Sequence, residues 1–217
     1  MKHRQPEQRI LVIKHGALGD IVQALDGFSS LRAGFANAHL AALTSPPFVS
    51  FMELMPWFNE VICDPRAGVF DFRETLRIRS IIRRPWDLII DMQGSSRTSF
   101  YHSFFSAGET KWVGRQPQCS HPLPDFGEIN NTDRMLAIAR IAGGMDTKQS
   151  VDWLVQPLDQ DLQSSVGQRY AVFVPGCSPS RPGKLWPVEK YAHIAQEISR
   201  QGTTVVLVGT ASDKPII

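Results

Sequence analysis

Cysteine is scarce: Cys63, Cys119 and Cys177 are the only three in 217 residues, with no CxxC pair and no metal-ligand spacing among them. That excludes a disulfide framework and a structural zinc site, and no HExxH supplies another metal centre. Long apolar runs are also missing. No stretch of eighteen apolar residues exists, so no membrane-spanning helix is expected. The N-terminal MKHRQPEQRI passes from polar residues straight into a four-residue apolar run, too short for a signal-peptide core, and a cytoplasmic location follows by default. Excess charge is lacking too. A formal net charge of +2 is too small to imply nucleic acid as the partner. The glycines, finally, form neither GxGxxG nor GxxxxGK[ST], which leaves a dinucleotide fingerprint and a P-loop unsupported.

What is present alternates between strand and helix. Ile10-Leu11-Val12-Ile13 is a continuous apolar run rich in β-branched residues, the pattern of a parallel strand covered on both faces. From Asp20, residues Ile21, Val22, Leu25, Phe28 and Arg32 recur at helical spacing, and Gly34 can close that helix. Leu40–Leu43 and Val61-Ile62 are strand candidates, with an apolar stripe of Phe48, Phe51, Met52 and Met55 between them. Phe72, Leu76 and the stretch 79–82 suggest a basic helix, and residues 87–91 a second inner strand. Residues 96–105 are expected to be helical, 111–114 a short strand and 132–142 a helix ended by Gly143-Gly144. This order predicts an α/β fold, a Rossmann-like parallel sheet with right-handed crossovers, over residues 1–145. Residues 146–168 form a connector. From 169 to 217 the theme restarts: a strand at 170–174, a loop, a helix whose first residue is Pro187, and a strand at 205–209. One βαβ unit of about fifty residues cannot cover both faces of such a sheet, so the second domain is expected to be truncated at Ile217.

The corner HGALGD, residues 15–20, places two glycines and a carboxylate where strand turns to helix. Asp20 would repel a pyrophosphate there; it can cap the helix, or point into a cleft that Gly16 and Gly19 leave open, and the two roles are compatible. A second corner, PGCSPSRPGKLWP at 175–187, offers hydroxyls, backbone N–H groups and Lys184 to an anion, or is simply a surface turn with a solvated lysine. Arg66, Arg73, Arg77, Arg79, Arg83 and Arg84, followed by Arg97 and Arg115, describe a solvated basic face, or as a group a grip on an acidic acceptor. Of the histidines, only His15 lies at a strand end within the proposed cleft.

Together ILVIKHGALGDIVQAL (10–25), DLIIDMQGSSRTS (87–99) with its D-x-Q-G strand end, and YAVFVPGCSPSRPGKLWPVEKYAHIAQEI with TTVVLVG (170–209) resemble glycosyltransferase family 9, the ADP-heptose:lipopolysaccharide heptosyltransferases. The resemblance implies a GT-B arrangement, with an acceptor-binding N-terminal domain and a C-terminal domain for the nucleotide-sugar. It implies an inverting transfer with Asp20 as general base. Lys184, Ser178, Ser180 and Gly19 would serve the donor, ADP-heptose, with no metal and no cofactor; Arg66, Arg97, Arg115 and His15 would serve a lipid A–Kdo type acceptor at the inner face of the inner membrane. A monomer is expected. The sequence departs from the family where LPAL becomes Leu25-Asp26-Gly27-Phe28, and the distal glycine-rich Asp/His segment would lie beyond Ile217. Two other readings stay open: a non-catalytic acceptor-binding module, and an unrelated nucleotide-dependent enzyme such as an oxidoreductase on a similar sheet.

Overall fold

The structure is a computed structural model describing residues 7–68, 71–147, 150–177, 182–211 and 213. It divides into two compact units, Met1–Val155 and Gln156–Ile217. The first is built on a six-stranded sheet, every pairing parallel. Its strands are β1 (Arg9–Ile13), β2 (His39–Thr44), β3 (Glu60–Cys63), β4 (Leu88–Asp91), β5 (Lys111–Gly114) and β6 (His121–Pro122), in the order β3-β2-β1-β4-β5-β6. Helices α1 (Leu18–Val22), α2 (Leu25–Gly34), α3 (Val49–Glu53), α4 (Phe72–Ile82) and α5 (Ser96–Phe105) make the crossovers, and α6 (Asn131–Ala142) follows the last strand.

The apolar run at 10–13 becomes the central strand because successive side chains point to opposite faces and both faces are covered. Ile10 and Val12 enter a core with α2 and α6 through Phe28, Leu31, Met135 and Ile138. Leu11 and Ile13 enter the other, with Ile78, Ile82, Tyr101 and Phe105 of α4 and α5. Local caps fix where the helices start. Thr98 N–H donates to Ser95 Oγ at 3.3 Å while Ser95 N–H donates to Thr98 Oγ1 at 2.9 Å, a reciprocal box that satisfies two orphan donors at the start of α5. Asn130 Oδ1 does the same for the N–H of Asp133 in α6. Arg32 ties two loops together by donating to Ala38 O on one and to Trp57 O and Asn59 Oδ1 on the other.

Two local differences from the sequence expectation have physical causes. The helix expected from Asp20 to Gly34 is broken, because Ala24 N–H bonds Ile21 O three residues back before Phe28 N–H restarts the ladder on Ala24 O. The apolar spacing runs across this tightened turn and so conceals it. The two-residue strand β6 contains Pro122, tolerated because β6 is the sheet's edge.

The second unit has α7 (Gln160–Val166), β7 (Tyr170–Phe173), α8 (Val188–Arg200) and β8 (Thr204–Leu207). Strands β7 and β8 pair in parallel, from Tyr170↔Thr204 to Phe173↔Leu207. Pro187 is the N-cap of α8 rather than its first helical residue. The Tyr191 ring packs on Phe173 and edge-on to Trp186, whereas Val172, Val174, Leu207 and Val208 are exposed. It is a βαβ unit, and among the described residues it has only these two strands. No described helix is long and apolar enough to cross a membrane.

Candidate functional site

In an open parallel sheet, ligands bind beyond the carboxyl ends of the strands where the strand order reverses, here between β1 and β4. The loop after β1 and the turn after β4 are bonded to each other at that point: His15 N–H donates to Gln93 Oε1 at 2.9 Å. The turn is held from beneath by Asp91, whose Oδ1 accepts from Gln93 N–H at 3.0 Å and Gly94 N–H at 2.9 Å. Burial raises the Asp91 pKa, and these N–H groups work against it. Gly94 has φ +59°, and a Cβ there would sit 2.9 Å from Arg115 Cδ. Arg115 lies across the turn and donates to Gly94 O at 3.2 Å, with its side chain exposed.

The β1 loop needs its first glycine for a steric reason. Gly16 has φ +127°, and a Cβ would approach the Phe48 ring to 2.3 Å. Gly19 has open space where its Cβ would be. Asp20, on the first turn of α1, is exposed, and its Oδ2 accepts from Ala17 N–H at 3.2 Å. The carboxylate therefore helps cap its helix while remaining open to solvent.

Beneath this loop lies a residue that motif reading passed over. Lys14 is 3% exposed. Its Nζ donates to Met92 O at 3.3 Å and lies 3.7 Å from Met135 Sδ. Burial lowers its pKa; the negative charge of Asp20 opposes that, Arg134 reinforces it and Asp91 opposes it. A cavity of about 610 Å³ opens over Lys14, lined also by Gln93, Gly94, Arg115, Asp125 and Arg134.

His15 faces the other way. It is buried, with Nε2 2.8 Å from Asp64 Oδ2. Tyr101 OH donates to the same oxygen at 2.6 Å, and Arg66 N–H donates to Oδ1 at 2.8 Å. Burial alone would raise the Asp64 pKa, but His15, Tyr101 and the Arg66 N–H bring it down to about 2. Burial pushes the Tyr101 hydroxyl up; Arg97 opposes the rise and Asp64 adds to it. Arg97 donates to Arg66 O and Ala67 O, both at 3.0 Å, which fixes a loop whose Arg66 stands at φ +54° with its guanidinium exposed. Arg66 and Arg97 line a separate cavity of about 440 Å³ between α4 and α5. A cavity of about 910 Å³ lies by Gln8, Asp87 and Lys111, at the opposite end of the strands from these residues.

Of the sequence-derived candidates, His15, Gly19 and Asp20 lie on the β1 loop and the start of α1, Arg115 just after β5 against the turn that follows β4, and Arg66 and Arg97 after β3 and on α5, where the His15 side chain also points. Lys184 belongs to the second unit, exposed at the end of the single turn Pro182–Lys184. Ser178 and Ser180 lie outside the described residues. Asp213, also unforeseen, is buried in that unit and accepts from both the N–H and the hydroxyl of Thr210 at 2.7 Å.

The sheet order and the loops at its switch point define a Rossmann-like α/β domain. Residues 75–216 match the profile of glycosyltransferase family 9 (heptosyltransferase), and the chain belongs to that family. It is 23% identical to lipooligosaccharide heptosyltransferase 2 of Haemophilus influenzae and 25% identical to lipopolysaccharide heptosyltransferase 2 of Escherichia coli, over 95% and 94% of this chain. It spans 65% and 64% of the length of those two relatives. Among solved structures, a family 9 glycosyltransferase from Veillonella parvula superposes with a TM-score of 0.76 at 22% identity, covering 96% of this chain and 65% of its own. E. coli heptosyltransferase WaaC with ADP-2-deoxy-2-fluoro heptose superposes with a TM-score of 0.74 at 15% identity, covering 96% and 71%.

Proposed function

We propose that this chain carries the acceptor half and part of the donor half of an inverting heptosyltransferase, moving heptose from ADP-heptose to the inner core of lipopolysaccharide. Asp20 takes the proton from the acceptor hydroxyl as its oxygen bonds to the anomeric carbon. The bond from that carbon to the diphosphate breaks, and ADP leaves with the electron pair. Lys184 balances the departing charge together with Ser178, Ser180 and the approach at Gly19; Arg66, Arg97, Arg115 and His15 belong to the acceptor side. The protein acts as a monomer in the cytoplasm, at the face of the membrane that bears the acceptor. The domain limits that go with this reading are residues 1–145 for acceptor binding, 146–168 as connector and 169–217 for the nucleotide-sugar.

The observation that supports this most is the position of Asp20: an exposed carboxylate on the first turn of α1, in a loop bonded directly to the Asp91–Gly94 turn. Incubation with ADP-heptose and a lipid A–Kdo acceptor should release ADP, and Asp20→Asn should reduce that release by about 10²–10⁴-fold. Wild-type turnover in the variant removes Asp20 from the chemistry. A second reading, a non-catalytic acceptor-binding module, is favoured by the second unit's two described strands. Calorimetry separates the two: acceptor heat without ADP heat supports the module, and an ADP affinity matching that of a full-length relative rules it out.

A further inference from the structure

Helix α4 buries Ile78, Ile81 and Ile82 and turns a different set outward. Phe72, Leu76, Arg79 and Arg83 fall at intervals of four, three and four, which places them in one line along the helix. All four are exposed, Phe72 at 73% and Leu76 at 60%. Arg83 continues the line onto α5 by donating from Nε to Phe105 O, next to Phe104, itself 68% exposed. The one acid of α4, Glu74, is turned aside into the α4–α5 cavity and paired with Arg77 at 2.7 Å. Residues 72–84 hold five arginines and one glutamate, a net +4, against +2 for the whole chain, so the remaining residues sum to −2.

From this juxtaposition we propose that the outer face of α4 and the end of α5 dock on an anionic lipid bilayer. Phe72, Leu76 and Phe104 enter the headgroup boundary, and Arg79, Arg83 and the neighbouring Arg73 hold lipid phosphates. A bilayer accepts both parts of the stripe. Its apolar layer takes rings and a leucine that water does not, and its surface charge matches an arginine row with no acid in it. A nucleic acid would use the arginines alone and leave the apolar residues in water. Helices return antiparallel to the strands they connect, so the Phe72 end of α4 lies at the sheet edge that bears Asp20. Docking there brings that edge to the lipid surface.

This deepens the function proposed above, which sets the acceptor at a membrane, but its test needs no sugar transfer. The chain is floated with vesicles of phosphatidylcholine alone and of phosphatidylcholine with about 30% phosphatidylglycerol, in low and high salt. Flotation is expected with the anionic vesicles only, weakening with salt. Arg79→Gln with Arg83→Gln should lower vesicle affinity by about thirty-fold, and Phe72→Ser with Leu76→Ser by tenfold or more, each variant keeping wild-type circular dichroism. Arg140→Gln, on α6 across the sheet, should change nothing. Equal binding to neutral vesicles, unchanged binding by both double variants, or displacement from vesicles by double-stranded DNA overturns the proposal. The salt response of the wild type decides the electrostatic part even if a variant does not fold. Failed flotation with intact transfer refutes the docking alone; flotation without transfer refutes the enzyme reading alone.

Discussion

Replacing Lys14 by methionine should make the protein more stable. The lysine is 3% exposed, its ammonium is given one backbone carbonyl and a thioether, and no carboxylate oxygen is within bonding distance of it among the described residues. Methionine nearly matches its volume and removes a buried charge, a change of the kind that stabilises by about 1–4 kcal/mol when apolar groups replace buried ions. Against this, Met92 O loses its donor, at about 1–2 kcal/mol. Taken at mid-range, about 2.5 kcal/mol gained against about 1.5 kcal/mol lost, the balance is a gain of about 1 kcal/mol at pH 7. The pH dependence carries the sign. Because burial lowers the folded-state pKa below the ordinary 10.5, the unfolded chain keeps the proton to higher pH, and wild-type stability rises between the two values. Below the folded-state pKa the full penalty is present; above 10.5 it is gone. Urea denaturation followed by fluorescence of the buried Trp57, Trp86 and Trp112 at pH 7 and near pH 10 measures this directly. The variant's advantage should be largest at pH 7 and shrink at the alkaline pH. A Lys14→Met protein less stable than wild type at pH 7, or a gap that does not narrow, refutes the assignment of Lys14 as a charge buried at a cost. A stabilised variant would mark this position as one where stability is given up for the site above it.

Other perturbations separate structural from chemical roles. Tyr101→Phe removes a donor from the Asp64 carboxylate and should destabilise by about 1.5–3 kcal/mol in neutral urea melts. Since Asp64 has a folded pKa of about 2, below its unfolded value, that loss should be full above about pH 5 and fade as pH falls through 2. The two glycines of the β1 loop should part company: Gly16→Ala, forced against Phe48 at positive φ, should cost about 2 kcal/mol or more, whereas Gly19→Ala should leave the melting curve within about 0.5 kcal/mol and act only on ADP release.

How much of this was readable in the chain depended on range. Strand β1 was evident because a continuous apolar run is a local signal, and helix α5 was expected at residues 96–105, although the capping box at Ser95 that starts it was not read. Strand β6 was not, since two residues including a proline carry no periodicity. Asp20 stood out as a carboxylate where strand turns to helix, and Arg115 only as one of a group of arginines. Lys14 sat one residue past the apolar run, and only the fold shows that Met92 and Met135, 78 and 121 residues away, close over it. The same holds for Asp64, which meets Tyr101 37 residues later and would otherwise pass for an ordinary loop aspartate.

The placement of β1 at the centre of the sheet also governs how the chain is made. One edge of β1 is closed by β2 soon after synthesis, but the other waits for β4, 78 residues further along. At ordinary elongation speeds of about 5–20 residues per second, the most apolar strand of the domain leaves the ribosome roughly 4–16 s before its second partner. For that interval Ile10–Ile13 is a half-paired template, and growth temperature and chaperone supply should set the yield of this protein more than its final stability does.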